Sequence, residues 1–222
     1  MTNVKTKPSI LILGDVGYGT PFLARGNLRF SYKDWNALAQ VAKSDVIVFT
    51  GGTDVNPEFY GQSRNCRTNY PDRERDDIER RVFNLAHQLN KPMAGICRGS
   101  QFGCVMSGGS LYQDVTGHAI HGGHPARTYD GEEIYITSTH HQMWRLVNVP
   151  HKLLAWSDPR RSLHYLGEAE HFQDAPEVEP EVAWFPTTRF LAAQYHPEYM
   201  DEGTSGWKFY QKVLDKYIFN NL

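Results

Sequence analysis

Three things are scarce or missing in this 222-residue sequence: cysteine, a long apolar run, and an excess of charge of either sign. Cys66, Cys97 and Cys104 are too few, and odd in number, for a disulfide framework, which favours a reducing compartment. No apolar run approaches the ~20 residues that a membrane-spanning helix needs. The formal net charge of −2 leaves no surplus of cations to displace counterions. We therefore expect neither membrane nor nucleic-acid partners.

The remaining composition is typical of a soluble globular protein, with 40% hydrophobic and 22% charged residues. The length fits one large α/β domain better than two small ones, so we expect a single domain over residues 1–222. Residues 1–8 have no apolar core, so no secretion signal is expected. Together with the low cysteine count, this predicts a cytoplasmic protein.

Short apolar runs alternate with helical patterns in the first half of the chain, as in a βαβ sheet. Continuous apolar runs predict strands buried on both faces at residues 9–14, 45–52 and 92–96. Apolar spacing predicts helices at residues 32–43, 73–90 and 97–107.

The second half is less regular. Strands are predicted at residues 133–137, 153–157, 181–185 and 190–195, and a terminal helix at residues 203–219. Residues 157–181 are polar and acidic with three prolines, and are interpreted as a hairpin or loop insertion, because their two ends lie within one series of strands. The expected fold is α/β, with a mostly parallel central sheet flanked by helices and a small antiparallel part in the second half.

A cysteine stands between two glycines, Gly95-Ile96-Cys97-Arg98-Gly99, at a predicted junction of strand and helix. A nucleophile on such a sharp turn has a strained backbone, and small neighbours let strand and helix approach. The helix N-terminus favours a thiolate at Cys97, and the amide of Arg98 points to where an oxyanion would form. From the pentapeptide alone, a buried cysteine beside loop glycines is an equal alternative.

A thiolate nucleophile needs a proton acceptor that later protonates the leaving amine. His196 and Glu198 end the last predicted strand, and residues two apart in an extended chain face the same way. The carboxylate could then fix the imidazole tautomer. Because parallel strands end at one edge of a sheet, Cys97 and His196 are expected to meet.

Six segments occur in the order in which a known family has them: residues 51–57, Arg75-Asp76, and residues 95–101, 108–114, 138–142 and 194–198. In these segments the chain resembles the class I glutamine amidotransferases. It is most similar to their gamma-glutamyl-gamma-aminobutyrate hydrolase and gamma-glutamyl hydrolase branch. The resemblance implies a flavodoxin-like fold and hydrolysis of γ-glutamyl amide bonds through a glutamyl thioester, without a cofactor.

The resemblance also implies the site residues. They are a triad of Cys97, His196 and Glu198, an oxyanion hole from the backbone amides of Gly52 and Arg98, and a substrate pocket lined by Gln101, Ser138, Thr139 and His140. The chain departs from the branch at Thr137, where asparagine is frequent, in the short segment before Gly51, and in the insertion. These departures leave the leaving group open.

Three alternatives remain at this point. The first is a glutaminase subunit that delivers ammonia to a separate synthetase. As to partners, the sequence leaves open both this synthetase and a second copy of the chain in a homodimer. The second is a catalytically inactive binding homologue. The third is a metal-binding protein, because His118, His121 and His124 recur every third residue and His140-His141 follow. Neighbouring glycines and a proline argue against a helix that would align them, so we expect these histidines in a loop without a cysteine partner, and no metal site.

Two charged stretches are interpreted as solvated. Residues 73–77 read as an exposed helix start with local charge pairs, while the family resemblance leaves a structural role for Arg75-Asp76 open. The acidic insertion reads as a solvated loop, in which Glu177 and Glu179 could attract an amine-bearing leaving group.

Overall fold

The structure, a computed structural model, describes residues 7–222. The prediction that the N-terminus carries no secretion signal concerns residues that lie mostly outside this range. The strands are β1 Ser9–Leu13, β2 Asn27–Ser31, β3 Val46–Phe49, β4 Met93–Ile96, β5 Ser110–Tyr112, β6 Asp114–Val115, β7 Ala119–Thr128, β8 Glu133–Thr139, β9 Met143–Arg145, β10 Lys152–Ser157, β11 Tyr165–Leu166, β12 Glu179–Phe185 and β13 Phe190–Ala193. The α-helices are α1 Ala37–Val41, α2 Arg73–Gln88, α3 Arg98–Met106 and α4 Ser205–Tyr217.

Nine strands form one sheet in the order β2-β1-β3-β4-β13-β12-β10-β7-β8. The first five run parallel, and from β13 onward each neighbour is antiparallel. The predicted α/β fold, with parallel central strands and an antiparallel part from the second half, is therefore confirmed. β4 and β13 are neighbours, so the chain segments that follow them leave the sheet side by side.

The central strands are buried on both faces, as their continuous apolar runs predict. Ile12 and Val48 point into an apolar layer shared with α4, whereas Leu11 and Ile47 point into a second layer shared with α1, α2 and α3. The strands predicted at residues 9–14, 45–52 and 92–96 correspond to β1, β3 and β4, and the helix at residues 73–90 corresponds to α2.

The region before β3 differs from its prediction. The helix expected at residues 32–43 is only the short α1, because the Asp34 carboxylate accepts a hydrogen bond from the Asn36 amide and forms a turn ahead of it. The strand β2 was not predicted. It is an edge strand with mostly exposed side chains, so it has no continuous apolar run.

The histidines expected in a loop lie at a strand, so that interpretation was wrong. His121 and His124 are within β7, and His118 directly precedes it. Glycine and proline are unfavourable inside strands, so the sequence of this segment does not predict one. The β7–β8 pairing accommodates them through an irregularity between Ala119 and Gly123.

The insertion at residues 157–181 connects the adjacent antiparallel strands β10 and β12, and it contains β11. Glu177 is exposed, but the solvated interpretation was wrong for Glu179. Its buried carboxylate accepts hydrogen bonds from the Arg161 and Ser162 amides, both at 2.7 Å, and from the Tyr165 hydroxyl at 2.8 Å. Glu179 is thus a structural acceptor that closes the loop onto the sheet.

Within residues 7–222, none of the helices has the length and apolarity needed to cross a membrane.

Candidate active site

Cys97 occupies the sharp turn between β4 and α3. Its φ of 51° and ψ of −116° lie in a region that side-chain-bearing residues rarely adopt, which is a strained backbone held by its surroundings. The Cys97 amide donates a hydrogen bond to the Ala193 carbonyl at 2.8 Å, and the Cys97 carbonyl accepts one from the Gln101 amide at 3.0 Å. A Cβ atom at Gly99 would lie 2.2 Å from the Phe49 carbonyl oxygen, so only glycine permits this approach of α3 to the sheet.

His196 and Glu198 follow β13 and lie beside Cys97. The His196 side chain makes a hydrogen bond with Cys97. The other nitrogen, Nδ1, is 2.6 Å from Glu198 Oε1. Cys97 and His196 are 9% and 5% exposed. The structure thus brings together the three side chains of the expected triad, from two neighbouring parallel strands.

Thr137 holds the backbone of His196. Its hydroxyl accepts a hydrogen bond from the His196 amide and donates one to the His196 carbonyl, both at 3.0 Å. Since both polar backbone groups of His196 are tied to β8, the imidazole has little freedom to leave Cys97.

The charge state of His196 is set by its two partners. Burial lowers the pKa of His196, but the hydrogen bonds and charges of Cys97 and Glu198 outweigh it and raise the pKa to about 10. At neutral pH this favours an imidazolium beside the cysteine sulfur. A protonated ring is the species that can stabilise a thiolate and then give its proton to a leaving amine.

Two tyrosines beside His196 were not identified from the sequence. The Tyr199 ring stacks on the imidazole at 4.8 Å, with 11° between the planes. Tyr18 lies 6.2 Å from His196 on a 3-10 helix, and its side chain makes a hydrogen bond with Tyr199. Tyr199 follows the His-Pro-Glu segment directly, which is a usable signal. Nothing in the local sequence marks Tyr18.

The loop after β3 carries the expected oxyanion-hole residue Gly52. Its φ of 144° favours glycine, and a Cβ atom there would lie 2.2 Å from Arg75 Nη1. The Arg75 guanidinium donates to the Gly51 carbonyl and to the Thr50 carbonyl, each at 2.8 Å. A buried arginine from α2 therefore fixes the course of this loop.

The first turns of α2 are solvated at Arg73, Glu74 and Asp77, but the solvated interpretation was wrong for Arg75 and Asp76. Arg75 and Asp76 are buried, together with Glu79. Arg75 Nε donates to Glu79 Oε1 at 2.7 Å, and the Arg98 guanidinium binds both Asp76 and Glu79. The four charges compensate one another, which permits their burial. Arg75 holds the Gly52 loop and Arg98 follows Cys97, so this cluster links the two expected oxyanion-hole positions.

The expected pocket residues are mostly buried supports. Gln101 Nε2 donates to the Gln142 carbonyl at 3.2 Å. The Ser138 hydroxyl donates to the His118 carbonyl at 2.5 Å, and His140 Nδ1 donates to the Gln142 carbonyl at 2.9 Å. Thr139 alone of the four is exposed.

The family model for peptidase C26 matches residues 28–143, just over half of the chain. A curated relative, the glutamine amidotransferase-like protein YvdE of Lactococcus lactis, is 44% identical over 72 residues. That segment is 32% of this chain and 30% of the relative, so the match spans about a third of either protein.

Two solved structures share the fold. PurLQS from Thermotoga maritima superposes with a TM-score of 0.65 at 16% identity, covering 95% of this chain and 99% of that one. A protein from Thermoplasma acidophilum that is described as part of a GMP synthase gives a TM-score of 0.61 at 18% identity, covering 95% and 96% of the two chains.

Proposed function

Because this chain belongs to the peptidase C26 family, we propose that it is a cysteine-dependent hydrolase of γ-glutamyl amide bonds, acting on glutamine or on γ-glutamyl amines. The observation that carries the proposal is the chain of contacts from Cys97 through His196 to Glu198. The fold of amidotransferase-like proteins and the glycine loop at Gly52 support it further.

In the proposed reaction, the Cys97 thiolate attacks the side-chain carbonyl carbon of the substrate and forms a C–S bond. The carbonyl electrons move to oxygen, and the backbone amides of Gly52 and Arg98 hold the oxyanion. One such donor typically stabilises the transition state by ~3 kcal/mol. When the C–N bond breaks, His196 gives its proton to the amine, which leaves a glutamyl thioester.

The second half of the reaction releases glutamate. Neutral His196 accepts a proton from water as the oxygen attacks the thioester carbon, and the C–S bond breaks to restore the Cys97 thiolate beside a protonated His196. Glu198 holds the imidazole in place throughout. In this proposal Thr139, the exposed member of the four expected pocket residues, contacts the substrate, and the buried Gln101, Ser138 and His140 support it from behind.

The test is a hydrolysis screen of glutamine against several γ-glutamyl amines. We expect Cys97→Ala to abolish turnover, and Cys66→Ala, which changes an exposed cysteine that contacts Glu170, to leave it intact. A Cys97→Ala protein that hydrolyses these amides at the original rate would overturn the proposal.

A second candidate is a glutaminase that delivers ammonia to a separate synthetase. The observation behind this candidate is the similarity in fold to the GMP synthase protein. Activity confined to glutamine that rises when a partner is added would favour this ammonia-delivering role. Activity on γ-glutamyl amines without a partner would favour the hydrolase.

A further inference from the structure

A second cluster of titratable groups lies inside the antiparallel part of the sheet, and the proposed reaction does not use it. His118, His124 and His140 surround the carboxylate of Glu181. Their side chains approach the single atom Glu181 Oε1 at 3.2, 3.4 and 3.7 Å. All four residues are between 0% and 3% exposed. They come from the segment before β7, from β7, from the end of β8 and from β12.

The outer nitrogen of each ring already has an acceptor. His118 Nε2 is 3.1 Å from Glu179 Oε2, His124 Nδ1 is 2.9 Å from the Pro125 carbonyl, and His140 Nδ1 is 2.9 Å from the Gln142 carbonyl. In a neutral imidazole only one nitrogen carries a proton. When a ring is neutral and its proton is on this outer nitrogen, the inner lone pair faces the carboxylate oxygen of Glu181. Metal-bound histidines are oriented in this way.

The inner atoms have no partner outside the cluster. His118 Nδ1, His124 Nε2, His140 Nε2 and both carboxylate oxygens of Glu181 are buried, and they contact only one another. Buried polar atoms without partners are costly, and buried charges are normally paired or bound to a metal. The converging inner atoms need a cation at the centre, which is either a proton or a metal ion.

The spacing of the donor atoms fits such a cation. Two ligands about 2.05 Å from a tetrahedral metal lie about 3.3 Å apart, and the contacts of Glu181 Oε1 bracket this value. The donor atoms of His118, His140 and Glu181 all lie within 4.8 Å of one another. Imidazole nitrogens with one carboxylate are the ligand set of Zn²⁺ and of neighbouring divalent transition metals.

We propose that His118 Nδ1, His140 Nε2 and Glu181 bind one divalent transition-metal ion, and that His124 supports the Glu181 carboxylate from 3.4 Å. The enclosed position makes this a structural site. It joins β12 to the end of β8, where the exposed Thr139 stands. Glu181 also accepts a hydrogen bond at its backbone carbonyl from the Gln194 amide, two residues before His196, at 2.8 Å. The metal site therefore braces the wall of the candidate active site.

The experiment uses the whole chain without a histidine tag, carrying Cys97→Ala so that the Cys97–His196 pair cannot bind metal. The protein is stripped with a chelator, titrated with Zn²⁺ or Co²⁺, dialysed and analysed for metal content. We expect about one ion per chain, an intense Co²⁺ ligand-field absorption typical of four-coordinate sites, and a higher melting temperature with Zn²⁺.

Glu181→Gln keeps the shape of the side chain and should lower metal retention at least 10-fold, as is usual when a ligand is altered. The matched control is His121→Ala, which removes an exposed histidine of β7 and should retain the ion. Unchanged binding in Glu181→Gln would overturn the proposal. So would a stripped protein that takes up no Zn²⁺ and shows no change in melting temperature, because a proton would then hold the cluster. The Co²⁺ spectrum decides the matter even if Glu181→Gln does not fold.

Discussion

At the scale of single residues, the environment of His196 links protonation to activity. The imidazole is placed between the Cys97 sulfur and the Glu198 carboxylate, and Tyr199 covers one of its faces. Burial alone would lower the pKa of the imidazole and favour loss of its proton. The contacts with Cys97 and Glu198 raise the pKa and keep the ring protonated. The reaction we propose needs that proton when the amine leaves.

The pH profile tests this directly. The pKa of His196 is raised from its ordinary value to about 10, so the ring stays protonated above neutrality and loses its proton as the pH rises through about 10. We expect the alkaline fall of kcat/KM to have its midpoint near pH 10. Glu198→Gln removes one of the groups that raise the pKa, so the midpoint should move to lower pH. An unchanged midpoint in Glu198→Gln would contradict this account of His196.

Gly52→Ala should damage the proposed oxyanion hole without unfolding the chain. The new Cβ would collide with Arg75 Nη1 and the φ of 144° would be strained, so the loop must turn its amide away. We expect kcat to fall by about 100-fold or more with little change in KM, as when one oxyanion donor is lost. Gly61→Ala is the control, since Gly61 also has a positive φ but nothing lies within 4 Å of its added Cβ. Equal activity of the two variants would contradict a role for the Gly52 amide.

At the scale of elements, the N-terminal turns of α2 are attached by charge to the start of α3 and to the loop after β3. Asp76 accepts from the Arg98 side chain and, at 3.0 Å, from the Asn56 amide. Asp76→Ala leaves a buried guanidinium with one partner fewer, and we expect the free energy of unfolding to fall by about 3–5 kcal/mol. Denaturant titration measures this value.

The neighbouring Asp77 supplies the control for Asp76. It forms an exposed ion pair with Arg80 at 2.9 Å, so Asp77→Ala should change the free energy of unfolding by less than about 1 kcal/mol. If the two alanine variants were equally stable, the buried cluster would not be holding α2 as described.

The elements also show how far the sequence can be interpreted by itself. β1, β3 and β4 could be predicted because burial on both faces leaves a continuous apolar run, and the turn at Cys97 because its glycines are required locally. β7 could not be predicted, because its glycines and proline are accommodated through irregular pairing with β8, which the sequence does not reveal. The burial of Asp76 could not either, because its partner Arg98 is 22 residues away and only the fold makes them meet.

At the scale of the whole molecule, we propose that residues 1–222 form one domain. The nine-stranded sheet supports this, because it takes strands from both halves of the chain and β13, from the second half, lies between β4 and β12. We expect one unfolding transition by calorimetry, with equal calorimetric and van't Hoff enthalpies. Two separate transitions would show that the parallel and antiparallel parts fold independently.

The central claim, that Cys97 forms a thioester with a glutamyl group, is tested most directly by trapping that intermediate. The protein is mixed with excess γ-glutamyl amide, quenched in acid within one turnover and digested for mass spectrometry. We predict a glutamyl adduct on the peptide that contains Cys97, and none in the Cys97→Ala protein. The account would be contradicted if the substrate were hydrolysed rapidly while the glutamyl adduct formed on another residue of the protein. The same adduct in the Cys97→Ala protein would contradict it as well.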